Sequence, residues 1–109
     1  MTPVPTPQAF DAWRSRPGFT WLLKHSRTCP VSAAAWAEVA AYEKAHARDA
    51  IGLVVVQDDR AASDRVAAAY RVKHESPQLF LIKDGTAIWH ASHGGITQDA
   101  MELQRIPAL

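Results

Sequence analysis

The chain has 109 residues, 12 Lys and Arg against 11 Asp and Glu, 48% hydrophobic residues and a single cysteine. That length suits one domain over residues 1–109 with one core, and the four tryptophans and modest charge exclude a disordered chain. A net charge of +1 gives no pull toward nucleic acid or an anionic membrane, and no apolar run reaches the roughly 18 residues of a membrane span.

Pro3, Pro5 and Pro7 predict an extended, flexible lead-in over residues 1–6, with neither the basic nor the apolar region of a secretion signal. Pro7 then opens a short helix to about Ser15 that carries Phe10 and Trp13 on one face, and Arg16-Pro17-Gly18 turns the chain. Phe19 to Lys24 reads as a short buried strand, and His25 to Thr28 as a polar loop. From Pro30 the spacing of Val31, Ala35, Val39, Tyr42 and His46 predicts a helix, closed by Arg48-Asp49. Ile51 to Val56 is a continuous β-branched run, which marks a strand covered on both faces. Arg60 to about Val72 forms the next helix, with Ala62, Val66, Ala69 and Tyr70 inward.

Residues 78–82 and 86–90 are two apolar runs joined through Asp84-Gly85, a strong hairpin signal. Ser92-His93-Gly94-Gly95 leads into a last helix capped by Thr97 and running through Met101 and Leu103. The order α-β-α-β-α-β-β-α predicts a four-stranded mixed α/β sheet with helices on both faces. Two strands are parallel across a helical crossover, and the C-terminal pair is an antiparallel hairpin.

Cys29 falls where the first core strand gives way to the main helix. A thiolate there meets unpaired amides and the positive end of the helix dipole, which lower its pKa from about 8.5. Ser32 faces the same turn and can donate to the sulfur, while Lys24, Arg27 and His25 lie near in sequence. A lone cysteine is more often a small buried hydrophobe, but polar flanks and the strand-to-helix junction weigh against that here. No second cysteine exists to close an internal disulfide, so any turnover must use an outside thiol, and a single cysteine suits a reducing, cytoplasmic setting. The histidines show no metal-ligand spacing with Cys29, so no metal is expected.

The strand, Cys29-Pro30-Val31-Ser32, helix, strand, helix and Ser76-Pro77 hairpin resemble the thioredoxin fold in its glutaredoxin-like form. More narrowly, Lys24-His-Ser-Arg-Thr-Cys-Pro-Val-Ser32 with His74-Glu-Ser-Pro-Gln78 is similar to the monothiol bacilliredoxins of the bacilliredoxin C group, over roughly residues 7 to 104. The resemblance implies a thiol-disulfide oxidoreductase in which Cys29 attacks mixed disulfides on bacillithiolated client proteins. Bacillithiol would then be a co-substrate, with no cofactor bound permanently. It implies catalytic roles for Cys29, Ser32 and Pro77, the last in a cis peptide bond. It also implies thiol or client contacts from Lys24, Thr28, Pro30, Ser76, Gly94 and Gly95, the glycine pair meeting the carboxylates of the thiol's malate. The implied partners are those clients and the low-molecular-weight thiol, for a monomer that needs neither nucleic acid nor membrane. Two other readings stay open: an iron–sulfur carrier like the monothiol glutaredoxins, from which Pro30 in place of glycine departs, and a non-catalytic binding module.

Overall fold

The computed structural model describes residues 1–109, which form β1 (Thr2–Pro3), α1 (Pro7–Arg14), β2 (Phe19–His25), α2 (Pro30–Ala45), β3 (Ile51–Val55), α3 (Arg60–Tyr70), β4 (Gln78–Lys83), β5 (Thr86–Ser92), a 3₁₀ turn (His93–Gly95) and α4 (Gln98–Ala108). The strands make one sheet in the order β1-β3-β2-β4-β5. β2 runs parallel to β3 and antiparallel to β4, and β4 pairs antiparallel with β5. The expected topology therefore holds with one correction: the sheet has five strands. The lead-in is also not free, because Thr2 and Pro3 pair with Gly52 and Leu53 in parallel register. The Val4 amide donates to Leu53 at 2.8 Å and the Val4 side chain is buried. Proline is tolerated there because β1 is an edge strand whose outer side needs no donor.

Alternation along β2 divides the core into two layers, since successive side chains leave opposite faces of a strand. Trp21 and Leu23 face Ala35, Val39 and Tyr42 of α2 and Met101 of α4. Leu22 faces the other way, into a layer with Phe10 and Trp13 of α1 and Ala62 and Val66 of α3. Trp13 packs so closely that its Nε1–H donates to the Trp21 carbonyl at 3.1 Å. Gly52 makes that approach possible, because a Cβ there would lie 2.8 Å from Trp13 and 2.9 Å from Leu22.

Thr6 caps α1 by accepting the Ala9 amide at 3.0 Å, and Thr97 caps α4 by accepting the Ala100 amide at 3.1 Å. The hairpin turn takes positive φ at both Asp84 and Gly85, the mirror-image geometry whose twist matches the strands it joins. The apolar helix residues Val31 and Leu103 are exposed. Val31 lies in the first turn of α2, whose buried face runs through Ser32, Ala35, Val39 and Tyr42, and Leu103 points outward from α4. α3 stops at Tyr70, where Arg71 adopts a left-handed conformation that ends the helix.

Candidate active site

Register places the chemistry-bearing segments at one end of the sheet. Lys24 pairs with Gln78 across β2 and β4, Gln78 pairs with Ser92 across β4 and β5, and His25 pairs with Val55 across β2 and β3. The loops that leave this end are 26–29, 56–59, 73–77 and the 3₁₀ turn, so they carry Cys29, Gln57, Ser76-Pro77 and Gly94-Gly95 together.

Cys29 is the N-cap residue of α2, with extended backbone at φ −104° and ψ 123°, and Pro30 takes the first helical position without sacrificing an intrahelical bond. The cysteine is partly exposed and is the only one in the chain. Its pKa is held below the ordinary thiol value, first by the Ser32 backbone amide. Desolvation opposes it as the next largest effect, and the Val31 amide and the Ser32 hydroxyl act with the Ser32 amide. Helix-start amides have no intrahelical acceptor, so a thiolate at the N-cap has open donors close to it, although the side chain makes no capping hydrogen bond.

Ser32 is fully buried, and its hydroxyl also accepts the Ser26 amide at 3.4 Å. The loop before the cysteine is tied from its other side by Gln57. Its side-chain amide donates to Ser26 Oγ at 2.7 Å and approaches Thr28 Oγ1 at 3.4 Å, while its carbonyl accepts the Arg27 amide at 3.3 Å. Thr28 is exposed at the rim, and Arg27 pairs with Asp58. Gln57 was not singled out by sequence reading. A polar residue one step past a buried β-branched strand was the available signal.

The Ser76–Pro77 peptide bond is cis, and Pro77 is buried at the start of β4. Its carbonyl accepts the His93 amide at 3.1 Å, which joins this loop to the 3₁₀ turn. Ser76 Oγ is buried without a partner. Gly94 and Gly95 are exposed, and a Cβ at Gly94 would meet nothing within 4 Å. The left-handed residue of this turn is His93, at φ 51°, not either glycine. The Ile96 amide is already bonded to the His93 carbonyl, and the first amide of α4, on Gln98, is taken by the Glu38 carboxylate at 2.9 Å. A carboxylate of this chain therefore already holds the first amide of α4, beside the Gly94–Gly95 turn.

Lys24 does not flank the thiol. It is completely buried, and strand alternation puts it on the face opposite α2, against α3. Its ammonium meets His74 Nδ1 at 3.3 Å and lies 5.9 Å over the Phe80 ring. Burial pushes its pKa down to about 8, with the Asp64 carboxylate opposing. His25 packs against the partly exposed Trp36, ring centres 4.7 Å apart and planes tilted by 56°, and lines, with Ser26, Arg27 and Ala33, an open groove of about 300 Å³. Burial and the Arg27 charge hold its pKa below the ordinary histidine value. A neutral ring at pH 7 adds no positive charge to favour the thiolate. Val31 and Trp36 add exposed apolar surface near the thiol. Among groups of three or more His, Cys, Asp or Glu side chains, none is arranged to hold a metal ion, and no helix is long and apolar enough to cross a membrane.

Solved structures place this geometry among redox proteins. One, described as a candidate oxidoreductase with a thioredoxin fold, superposes at a TM-score of 0.91 with 29% identity, covering 95% of this chain and 92% of the other. Fasciola hepatica thioredoxin matches at TM-score 0.78 and 17% identity over the whole of both chains. Mitochondrial thioredoxin 3 from Saccharomyces cerevisiae, in oxidised form, matches at 0.76 and 16%, over 100% of this chain and 95% of that one. These two, at low identity, speak for the fold alone. The family model described as monothiol bacilliredoxin BrxC matches residues 5–101, which span every element from α1 through β5 and reach into α4. A thioredoxin-like α/β fold, one amide-stabilised cysteine at a helix mouth and a family match across nearly the whole chain lead to one assignment: the chain belongs to the monothiol bacilliredoxin family.

Proposed function

We propose that the protein removes bacillithiol from mixed disulfides on client proteins, with Cys29 as the attacking thiol. The carrying observation is a partly exposed N-cap cysteine whose pKa is lowered by the Val31 and Ser32 amides and the Ser32 hydroxyl, in a chain with no second cysteine. A thiolate is the attacking species in disulfide exchange, and a lowered pKa raises its fraction near neutrality.

The exchange balances without any bound cofactor. The Cys29 thiolate attacks the bacillithiol sulfur of the mixed disulfide. A disulfide forms between Cys29 and bacillithiol as the client's sulfur leaves as a thiolate and takes a proton from water. A second bacillithiol thiolate then attacks the bacillithiol sulfur held on Cys29, releasing the Cys29 thiolate and the symmetrical bacillithiol disulfide. Ser32 favours the attacking sulfur as the anion, and the Ser76–Pro77 segment, at the same end of the sheet, is the edge on which the client or thiol docks. Thr28, Pro30 and the exposed Gly94–Gly95 turn form the rim of this site. The protein would act as a cytoplasmic monomer, its partners being bacillithiolated clients and the free thiol.

The test is incubation with a bacillithiolated protein followed by intact-mass measurement. Wild type acquires one bacillithiol on Cys29 as the client is released reduced, and Cys29→Ser, close in size, folds but acquires nothing. Client release by Cys29→Ser would end this reading. Slow alkylation of a high-pKa thiol would mark a structural cysteine, and a brown, cluster-bound dimer would mark the iron–sulfur carrier.

A further inference from the structure

Lys24 is the one fully buried charged side chain in the protein, and its location serves no evident purpose of stability. A buried ammonium with a ring nitrogen as its hydrogen-bond partner is costly to desolvate, and an apolar side chain of similar volume would suit that layer better. Its surroundings point to a different use. Lys24 and Gln78 are register partners on β2 and β4, both buried, and each grips the segment leading to Ser76–Pro77. The Gln78 amide donates to the Lys73 carbonyl at 3.1 Å, and the Lys24 ammonium donates to His74 Nδ1 at 3.3 Å. Ser63 of α3, also buried, brings its hydroxyl to the same His74 nitrogen at 3.2 Å. The ammonium can only donate, so Nδ1 is the acceptor and the proton sits on Nε2, which leaves the other edge of this exposed ring toward solvent.

We propose that Lys24, through His74, is a positioning residue for disulfide exchange: it ties the 73–77 segment to the strand that leads into Cys29, so that Ser76–Pro77 stands ready for the incoming disulfide. This rests on reading Cys29 as the exchanging thiol and the Ser76–Pro77 segment as the docking edge. The other charged groups near the pair are Asp64 and Arg60 of α3 and Glu75 of the loop, and Asp64 is the anion that acts on both Lys24 and His74. A lysine buried across the sheet from α2 touches neither thiol nor client, so its effect on the reaction runs through the loop alone.

Three variants isolate this role. Lys24→Met removes the donor, His74→Leu removes the acceptor, and His74→Asn places a carbonyl oxygen where Nδ1 stood. The expected result is a fall of about tenfold in kcat/KM for a bacillithiolated peptide with Lys24→Met and His74→Leu, roughly 1.4 kcal/mol and mainly through KM, and near-wild-type exchange with His74→Asn. The pH profile of iodoacetamide alkylation at Cys29 stays where it is in all three. Hydrogen exchange at amides 73–76, read without substrate, quickens in the two impaired variants, which tests the tether even if bacillithiolated peptide proves not to be a substrate of wild type. Unchanged loop exchange in Lys24→Met and His74→Leu overturns the proposal. So does equal impairment of His74→Asn and His74→Leu, or an alkylation profile that moves together with the loss of activity.

Discussion

Ser32 lies buried one turn into the helix that Cys29 opens, where it acts to lower the thiol's pKa, and its hydroxyl accepts the Ser26 amide at 3.4 Å, so one side chain links the reactive residue to the loop that precedes it. The larger share of thiolate stabilisation comes from the Ser32 backbone amide, which an alanine keeps. Ser32→Ala therefore raises the Cys29 pKa by less than about one unit, because one modest hydrogen bond to the charged form is lost. Alkylation at pH 7 slows by up to about tenfold and recovers at pH 10. The pH dependence of iodoacetamide reaction measures both, and an unshifted profile would show that the hydroxyl serves only Ser26.

The reasons that made Cys29 legible in the sequence are local ones: a strand, a polar turn, Pro at the first helical position and a small hydroxyl one turn on. Asp84-Gly85 was legible in the same way, since only a tight turn with left-handed backbone wants that pair. What escaped were features set by distant partners. The five-stranded sheet depends on Thr2 and Pro3 finding β3, and no pattern in two residues announces a strand. Lys24 reads as a charge near Cys29 because it lies close in sequence and lysine is rarely buried. Only the register with Gln78 and the cover of His74 and Ser63 place it inside. The Gly94–Gly95 turn was read from glycine chemistry, but Glu38 of α2, far away in sequence, decides what the start of α4 can accept.

Lys24 also makes a stability prediction with a definite sign. Its pKa is about 8 in the folded chain against 10.5 for an unburied lysine, so the unfolded chain binds the extra proton between those values. Folding stability contributed by this group accordingly rises as pH goes from about 8 to about 10.5 and is lowest below 8. Lys24→Met removes that rise and stabilises the protein at pH 7 by on the order of 1–3 kcal/mol. Urea unfolding of both proteins at pH 7 and pH 10 checks the sign. A wild type less stable at pH 10 through this group would contradict it. Gain in stability with loss of exchange is the combination that separates a positioning residue from a structural one.

Glu38 occupies the start of α4 with its carboxylate 2.9 Å from the Gln98 amide, beside the turn that holds Gly94 and Gly95. If the malate carboxylates of bacillithiol approach that turn, the Glu38 charge opposes them. Glu38→Gln keeps an oxygen acceptor for the amide and costs only about 0.3–1 kcal/mol of helix-end stabilisation. It is expected to lower KM for a bacillithiolated peptide about two- to threefold at low salt, an advantage that fades as ionic strength rises and screens exposed charge. The measurement is KM at low and high salt for both proteins. Salt-independent, equal values would place the carboxylates away from α4.

Two glycines should respond in opposite ways to alanine. At Gly52 a new Cβ would stand 2.8 Å from Trp13 Cε2 and 2.9 Å from Leu22 Cδ1, both in a filled layer where Trp13 is also held by its bond to the Trp21 carbonyl. Neither neighbour can withdraw without opening space between α1 and the sheet, so overpacking costs about 1–3 kcal/mol or more. At Gly94 the Cβ meets nothing, and the positive φ of that turn falls on His93. Gly94→Ala thus changes stability by no more than about 0.5 kcal/mol, as surface substitutions usually do. Because the backbone is unaltered, any rise in KM for bacillithiolated peptide in Gly94→Ala reports a ligand that approaches the turn closely. Melting temperature and KM measured side by side on the two variants distinguish the outcomes. A Gly52→Ala variant as stable as wild type would mean that Trp13 does not pack as tightly on the sheet as its 3.1 Å hydrogen bond requires.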